Sequence, residues 1–404
     1  MVAARHAHPA VAANSRACRG PVCVGAALGF SGGNGLNLMA ESPLRVLALV
    51  TDAFGGYGGI AQYNRDFLSA LAQCEGVGEV IVLPRAGASS PDTMPPGVRQ
   101  LRAVKGRLAY SFAALAGARA HRPIDVVFCG HLFMLPLAAV VAKLLNARLW
   151  VQVHGLEAWQ NVPRLHRRLI ESAMLVTSVS RYTRRRLLEW AAIDPARVKV
   201  LPNTVDPRYK PGSKPAYLIA RHAAGGRKVL MTVSRLAASE QMKGQDRVIW
   251  ALPRVLSEHP GAVYLIVGDG DDRPRLEALA TETGVAENVQ FAGLVPPEEL
   301  PDYFRLADVF VMPSTCEGFG IVFLEAMATG IPVIGGNKDG SLDPLCDGVL
   351  GAAVDPEDDK ELASAICTAL ATAPANVDRA SRFKVQAFTE YLHALVWSKL
   401  TAPN

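Results

Sequence analysis

The chain has 404 residues, long enough for two domains with separate cores; half are apolar and a fifth charged, the balance of an ordinary soluble globular protein. A formal net charge of +5 is too mild to suggest a nucleic-acid binder, and the seven scattered cysteines form neither a C-x-x-C pair nor a metal-ligand cluster, so a reduced, cytoplasmic protein is expected. No apolar run reaches the ~18 residues of a spanning helix; "FMLPLAAVVAKLLNA" (133–147) comes closest, is interrupted by Pro136, Lys143 and Asn146, and reads as a buried helix.

Residues 1–42 stand apart, rich in Ala, Gly, Arg and Ser, with Glu41 the first acid. They lack the apolar core that a signal peptide places behind a short basic start. A disordered tail, a mis-assigned extension upstream of Met39 and an organelle transit peptide all fit, and the segment is left out of the fold.

From Leu44 onward strands and helices alternate. "RVLALV" (45–50) is followed by helical spacing in "AQYNRDFLSALAQC" (61–74), at Tyr63, Phe67, Leu68 and Leu71. Further strands follow at "EVIVLP" (79–84), "DVVFCG" (125–130), "RLWVQVHG" (148–155), "MLVTSVS" (174–180) and "KVLPNTVD" (199–206). The stretch "PRYKPGSKPAY" (207–217) then reads as a linker. The alternation restarts at "RKVLMTVSRL" (227–236), "AVYLIVGDG" (262–270), "VQFAGLV" (289–295), "VFVMPS" (309–314) and "PVIGG" (332–336). Apolar strands separated by amphipathic helices predict an α/β protein of two doubly wound Rossmann-like domains, over 43–207 and 208–382, with parallel sheets. Residues 383–404 carry an amphipathic helix expected to pack back toward the first domain. Ligands of such sheets bind beyond the carboxyl ends of the strands, so a cleft between the domains is the expected site.

Behind the first strand, "GGYGGIAQYN" (55–64) satisfies G-x-G-x-x-A through Gly56, Gly58 and Ala61. A dinucleotide fingerprint needs its first glycine tight behind strand one and an acid at the end of strand two. Here Thr51 to Gly55 intervene, and Pro84 and Arg85 stand where the acid belongs.

The strongest pattern is "CEGFGIVFLEAMATGIPVI" (316–334). Glu317 and Glu325 are eight apart, Gly318 and Gly320 bracket Phe319, and a helix is predicted from about Ile321 to Thr329, stopped by Gly330 and Pro332. Glycines let a ligand approach the backbone, and a helix N-terminus offers free N–H groups to a phosphate. Two carboxylates there can accept hydrogen bonds from two sets of sugar hydroxyls; a capped helix with an exposed Glu325 is the plainer alternative. In "SRLAASEQMKGQDRVIWAL" (234–252), Arg235 follows a strand and Lys243 precedes a helix, either as surface cations or as a pair over a diphosphate.

"EGFGIVFLEAMATGIPVI" resembles the E-x7-E signature of family 4 glycosyltransferases, which have the GT-B fold, and the resemblance extends in several motifs over residues 44–385. It implies a retaining glycosyltransferase that moves a hexose from a UDP- or GDP-sugar to a saccharide or lipid-linked acceptor in cell-surface polysaccharide or glycoconjugate synthesis. No cofactor or metal is implied beyond the nucleotide-sugar co-substrate, and no nucleic acid. The resemblance assigns Glu317 to the transferred sugar's hydroxyls and Glu325 to the ribose. It assigns the backbone of Gly318, Phe319, Gly320 and Ile321 to sugar and phosphate, Arg235 and Lys243 to the diphosphate, and the backbone of Val295 to the base. His154 matches a histidine that faces the cleft beside the donor sugar, and Gly58 and Gly59 match a paired-glycine loop that closes over the donor. The eight-residue step from Arg235 to Lys243 is longer than in many members. In "LPNTVD" (201–206), Asn203 and Asp206 fit either a fixed domain junction or a ligand contact.

Three other readings compete with this one. "GDGDDR" (268–273) contains the Asp-Gly-Asp of a metal-dependent transferase, but a turn with Asp272 as N-cap fits its position better. A nucleotide-sugar 2-epimerase shares the GT-B fold, and a non-catalytic sugar-nucleotide-binding subunit lacks the cleft charges present here. Finally, residues 164–190 carry seven arginines against Glu171 and Glu189, which suggests either a solvated basic face or peripheral contact with anionic lipid on the inner face of a membrane.

Overall fold

Short apolar runs that alternate with helices form two parallel sheets. A computed structural model of the protein describes residues 42–56, 58–87, 94–159, 162–372 and 378–401. The extension assigned to residues 1–42 lies outside the described residues except for Ser42. The first sheet contains β1 (Leu44–Val50), β2 (Val77–Pro84), β3 (Val98–Gln100), β4 (Val126–Cys129), β5 (Arg148–Val153), β6 (Leu175–Ser178) and β7 (Val198–Val200), in the order β3-β2-β1-β4-β5-β6-β7. The second contains β8 (Val229–Val233), β9 (Val263–Val267), β10 (Val289–Gly293), β11 (Val309–Met312), β12 (Val333–Gly336) and β13 (Ala352–Val354), in the order β10-β9-β8-β11-β12-β13.

All pairings are parallel, with Val46 opposite Val126 in the first sheet and Val309 opposite Leu230 in the second. Each sheet reverses its strand order once, between β1 and β4 and between β8 and β11. At such a reversal the neighbouring loops diverge and open a crevice at the carboxyl ends of the strands.

One apolar cluster runs through both halves. Phe67 stacks on Phe128 at 4.4 Å between ring centroids and meets Trp150 edge-on at 5.2 Å. Helix Gly59–Ala72 carries this face, and helix Val385–Val396 packs on it through Phe388, 6.4 Å from Tyr63. The chain end is pinned to the first half, because the Val205 N–H donates to Phe383 O at 3.1 Å and Arg148 donates to Leu400 O at 2.6 Å.

Two local expectations are corrected. Helix Leu135–Leu145 buries Leu135, Ala138, Val141 and Ala142 but exposes Val140 and Leu144, so only one face of the supposed buried helix is covered. Asp272 stands at the N-cap position of helix Arg273–Glu282 without capping it, since its carboxylate is held by Arg275 and Gln241. Among the described residues, no helix is long and apolar enough to cross a membrane.

Candidate active site

β11 ends at Met312, and the chain turns through Glu317 and Gly318 into helix Ile321–Ala328. Gly320 begins that helix at φ 87°, where a Cβ would stand 2.5 Å from the Phe323 ring; only glycine fits. Phe319 is buried against Phe383, so this turn offers backbone rather than an aromatic face. The Glu317 N–H donates to Asp339 at 2.6 Å, and the Gly340 N–H donates to Glu317 O at 2.8 Å. These two bonds fix the loop from behind.

The Glu317 carboxylate pairs with Lys243. Burial works against the Lys243 ammonium, but the Glu317 charge and hydrogen bond outweigh it and hold its pKa above the ordinary value. The long step from Arg235 is absorbed by the 3-10 helix Ala238–Lys243, which kinks at Glu240. Gly244 follows at φ 82° and starts helix Gln245–Glu258. Arg235 itself follows β8 with its side chain 77 % exposed and pairs with Glu240. One turn into the Ile321–Ala328 helix, Glu325 is buried and hydrogen-bonds to Tyr209. Burial raises its pKa to about 7, and the Asp206 charge adds to this, against the opposing pull of Tyr209 and Arg208.

The first half meets this arrangement with glycines. Gly58, at φ 91°, precedes helix Gly59–Ala72, and a Cβ on Gly59 would sit 3.5 Å from Ile321 Cδ1. Two helix N-termini therefore face each other across the cleft. Beyond β5, Gly155 packs against Gly318 so tightly that a Cβ on it would lie 2.9 Å from Gly318 Cα. A Cβ on Gly318 would in turn collide with His154 O.

His154 Nε2 lies 3.0 Å from Gly130 O. A carbonyl only accepts, so Nε2 carries the proton and Nδ1 remains a bare acceptor. Burial pushes the His154 pKa down to about 4, with Glu157 pulling the other way, which keeps the ring neutral. Behind it lies a buried polar network in which Tyr63 and Thr177 donate to Gln152 at 2.8 and 2.6 Å and Trp150 donates to Thr177 at 2.9 Å.

These elements enclose a cavity of about 520 Å³. Gly58, Gly59, His154, Arg235, Lys243, Val295, Glu317, Phe319, Gly320, Ile321 and Glu325 all line it. Gly318 does not; its place is the backbone contact with His154 and Gly155. A larger hollow, about 830 Å³, lies near Arg122, Asp125, Lys143 and Arg148 and collects none of the motif residues. Gln62, Arg65, Arg208, Tyr209 and Glu240 also line the motif cavity, and sequence reasoning did not single them out. Asn203 lines it too, nearly buried and with no hydrogen-bond partner for Oδ1, whereas Asp206 pairs with Arg208.

The Asp-Gly-Asp segment is engaged structurally. Asp269 accepts from the Gly270 N–H at 2.9 Å and Asp271 from the Ala238 N–H at 2.7 Å. Among the described residues, no three His, Cys, Asp or Glu side chains gather as a metal site.

Most arginines of the basic run 164–190 have partners within the chain. Arg184 donates to Val198 O and Pro195 O, and Arg186 pairs with Glu189 and donates to Trp159 O. Arg167 donates to Val162 O, Arg185 lies over Tyr182, and Arg181 pairs with Asp343 and Asp347. Among the described residues only Arg164 and Arg168 of that run lack such a partner, while Arg164, Arg167, Arg168 and Arg185 are exposed, so part of the run is a solvated basic face.

Residues 57–209 match the family model described as Glycosyltransferase Family 4, and residues 218–386 match Glycosyl transferases group 1. A GDP-mannose-dependent alpha-(1-6)-phosphatidylinositol monomannoside mannosyltransferase of Mycobacterium tuberculosis is 33 % identical over 347 residues, covering 81 % of this chain and 89 % of that one. The chain belongs to glycosyltransferase family 4. A mannosyltransferase of Mycolicibacterium smegmatis with the same name as the Mycobacterium tuberculosis relative is 37 % identical over 263 residues, 61 % of this chain and 68 % of that one. The structure of Anabaena HepE in complex with UDP and glucose superposes with a TM-score of 0.72 at 21 % identity, over 88 % of this chain and all of the other. The two sheets of this glycosyltransferase thus form a GT-B fold.

Proposed function

We propose that this glycosyltransferase transfers mannose, with retention of configuration, from GDP-mannose to a lipid-linked acceptor of the phosphatidylinositol type. The similarity to the Mycobacterium tuberculosis mannosyltransferase through both halves carries this choice of donor and acceptor. The site supplies the chemistry. Arg235 and Lys243 meet the diphosphate, and the N-terminus of helix Ile321–Ala328 adds backbone N–H groups to it. Glu325 takes the ribose, Glu317 the sugar hydroxyls, and Val295 the base through its backbone. Lys243 and Glu317 are already paired in the unliganded protein. An arriving diphosphate takes over the ammonium and leaves the carboxylate for the sugar, so each keeps a partner.

Transfer then runs on one face of the sugar. The bond from the anomeric carbon to the diphosphate oxygen breaks as the bond to the acceptor oxygen forms, and the acceptor proton passes to the departing phosphate. His154, neutral and with Nδ1 bare, accepts a hydrogen bond from the sugar. Two cations and a helix N-terminus answer the diphosphate charge, so activity should persist in EDTA. The deciding assay offers GDP-mannose and a panel of UDP-sugars to wild type and Glu317→Ala with phosphatidylinositol mannoside vesicles. GDP-mannose should be used, and the variant should lose about 10²–10³-fold in turnover. A wild type that binds no nucleotide sugar ends the assignment.

The acceptor's lipid directs attention to helix Arg107–Ala120. Leu108 and Phe112, 78 % and 72 % exposed, align with Leu115 at spacings of four and three, which forms one apolar stripe. Residues 94–124 hold six lysines and arginines and no acid. A basic segment with an exposed apolar stripe suits an anionic bilayer better than the run 164–190, most of whose arginines already have partners. Vesicle flotation should depend on anionic lipid and fall at least about fivefold for Phe112→Asp; flotation unaffected by lipid charge rules the docking out.

A further inference from the structure

Outside the cavity, the second half reaches the first through a charged contact. Arg181 opens helix Arg181–Leu188, beside β6. Its backbone N–H and its Nε donate to Asp343 Oδ1 at 3.1 and 3.0 Å, and its two terminal nitrogens hold the Asp347 carboxylate at 2.9 and 2.7 Å. Asp343 is buried against the start of that helix, where the peptide dipoles favour an anion. Asp347 is presented by two consecutive residues other than glycine at positive φ, Cys346 at 48° and Asp347 at 55°. Side chains rarely adopt that conformation, and here the surrounding contacts hold it.

The same segment supports the loop that carries Glu317. Asp343 directly follows the 3-10 turn Gly340–Leu342, whose cap, Asp339, accepts from the Ser341 N–H at 2.9 Å. The other carboxylate oxygen of Asp339 takes the Glu317 N–H, and Gly340 lies so close to the carbonyls of Glu317 and Gly318 that a Cβ there would collide with them. A short run of backbone thus joins an ion pair between the halves to the loop of the E-x7-E motif.

We propose that Arg181 is a positioning residue for transfer. Its pair with Asp343 and Asp347 clamps residues 339–347 against the first half and, through Asp339, fixes Glu317 in the closed cleft. This rests on the reading of Glu317 as a sugar contact. The donor is held mainly by the second half, so loosening the clamp slows turnover while leaving donor affinity nearly intact. For Arg181→Ala, kcat should fall about 10–100-fold with GDP-mannose Kd, by calorimetry, within about threefold of wild type. Arg181→Lys, which keeps one charge without the fork, should fall between them. The double variant Arg181→Ala/Asp347→Ala should lose no more than Arg181→Ala alone.

Asp347→Asn removes an exposed charge without disturbing packing and should show the same split at smaller size, even if Arg181→Ala misfolds. Hydrogen–deuterium exchange over residues 313–321 of the unliganded protein tests the clamp apart from any donor, and should quicken in Arg181→Ala and in Asp347→Asn. Unchanged exchange with unchanged kcat in Asp347→Asn, or equal losses of kcat and donor affinity, overturns the proposal. A wild type that transfers no sugar while exchange still quickens counts against the glycosyl donor reading and leaves the clamp standing.

Discussion

The two sheets share one winding and differ in what they place at their strand ends. In both, the order reverses once, and the loops beside the reversal line the cleft. The second sheet offers Arg235, Lys243, Glu317 and Glu325, three of them held by a partner charge and the fourth by Tyr209. The first offers Gly58, Gly59, the amides of Gln62 and Asn203, a neutral His154 and a single cation, Arg65, which donates to the carbonyls of Ala53 and Gly56. Topology supplies a crevice twice; loop chemistry decides which crevice holds most of the charge. A diphosphate suits the second half, and a neutral sugar hydroxyl suits the first.

The contrast breaks most sharply at Lys243. Lys243→Ala removes the buried cation and leaves the Glu317 carboxylate without its partner, so kcat/KM for the donor should fall about 10²–10³-fold. Donor titration should show weaker binding as well, because the lost charge acts in the ground state too. A loss below threefold in steady-state kinetics would mean that this ammonium serves only the ion pair.

Gly59 is the matching test in the first half. A Cβ there has room, but a phenyl ring fills the gap toward Ile321 and holds the cleft open. Gly59→Phe should cut transfer by about 10–50-fold while donor affinity stays within about threefold. Equal losses would place the nucleotide on the glycine loop itself and remove the distinction between the halves.

The sequence displayed the second half's chemistry more fully than its supports. Buried parallel strands are continuous apolar runs, so most were visible, along with the polar residues just beyond them. β3 and β13 were not, since three residues carry no period and, unlike the equally short β7, neither leads into a recognised motif. Tyr209 lay in a stretch that reads as linker, yet it is buried against Glu325. Asp339 supports Glu317 from 22 residues downstream, a contact that only the packing of β12 beside β11 creates. The arginines of 164–190 show the same limit from the other side, because several of their partners are backbone carbonyls, which leave no mark in a sequence. Gly318 sits inside the motif, and its lack of a side chain serves the approach of His154 and Gly155, a constraint that the motif alone does not display.

Glu325 gives the smallest effect and the finest distinction. The ribose hydroxyls donate, so they need the carboxylate, and burial holds its pKa at about 7. GDP-mannose affinity should therefore rise with pH to a plateau above about 8, and fall by at most about tenfold per pH unit below 7. For the unliganded protein the sign is opposite. A carboxyl whose folded pKa is raised favours the folded state less as pH climbs from its unfolded value toward 7, so Glu325→Gln should melt higher than wild type at pH 8 and alike at pH 4. The same variant should bind donor more weakly than wild type at pH 8, with no dependence on pH between 7 and 8, above the Asp339 carboxyl that burial raises to about 6. His154 titrates far lower, so any slope in that window belongs to the second half. A slope that survives Glu325→Gln would instead assign the titrating group to another residue, and the ribose contact to Glu325 would be lost with it.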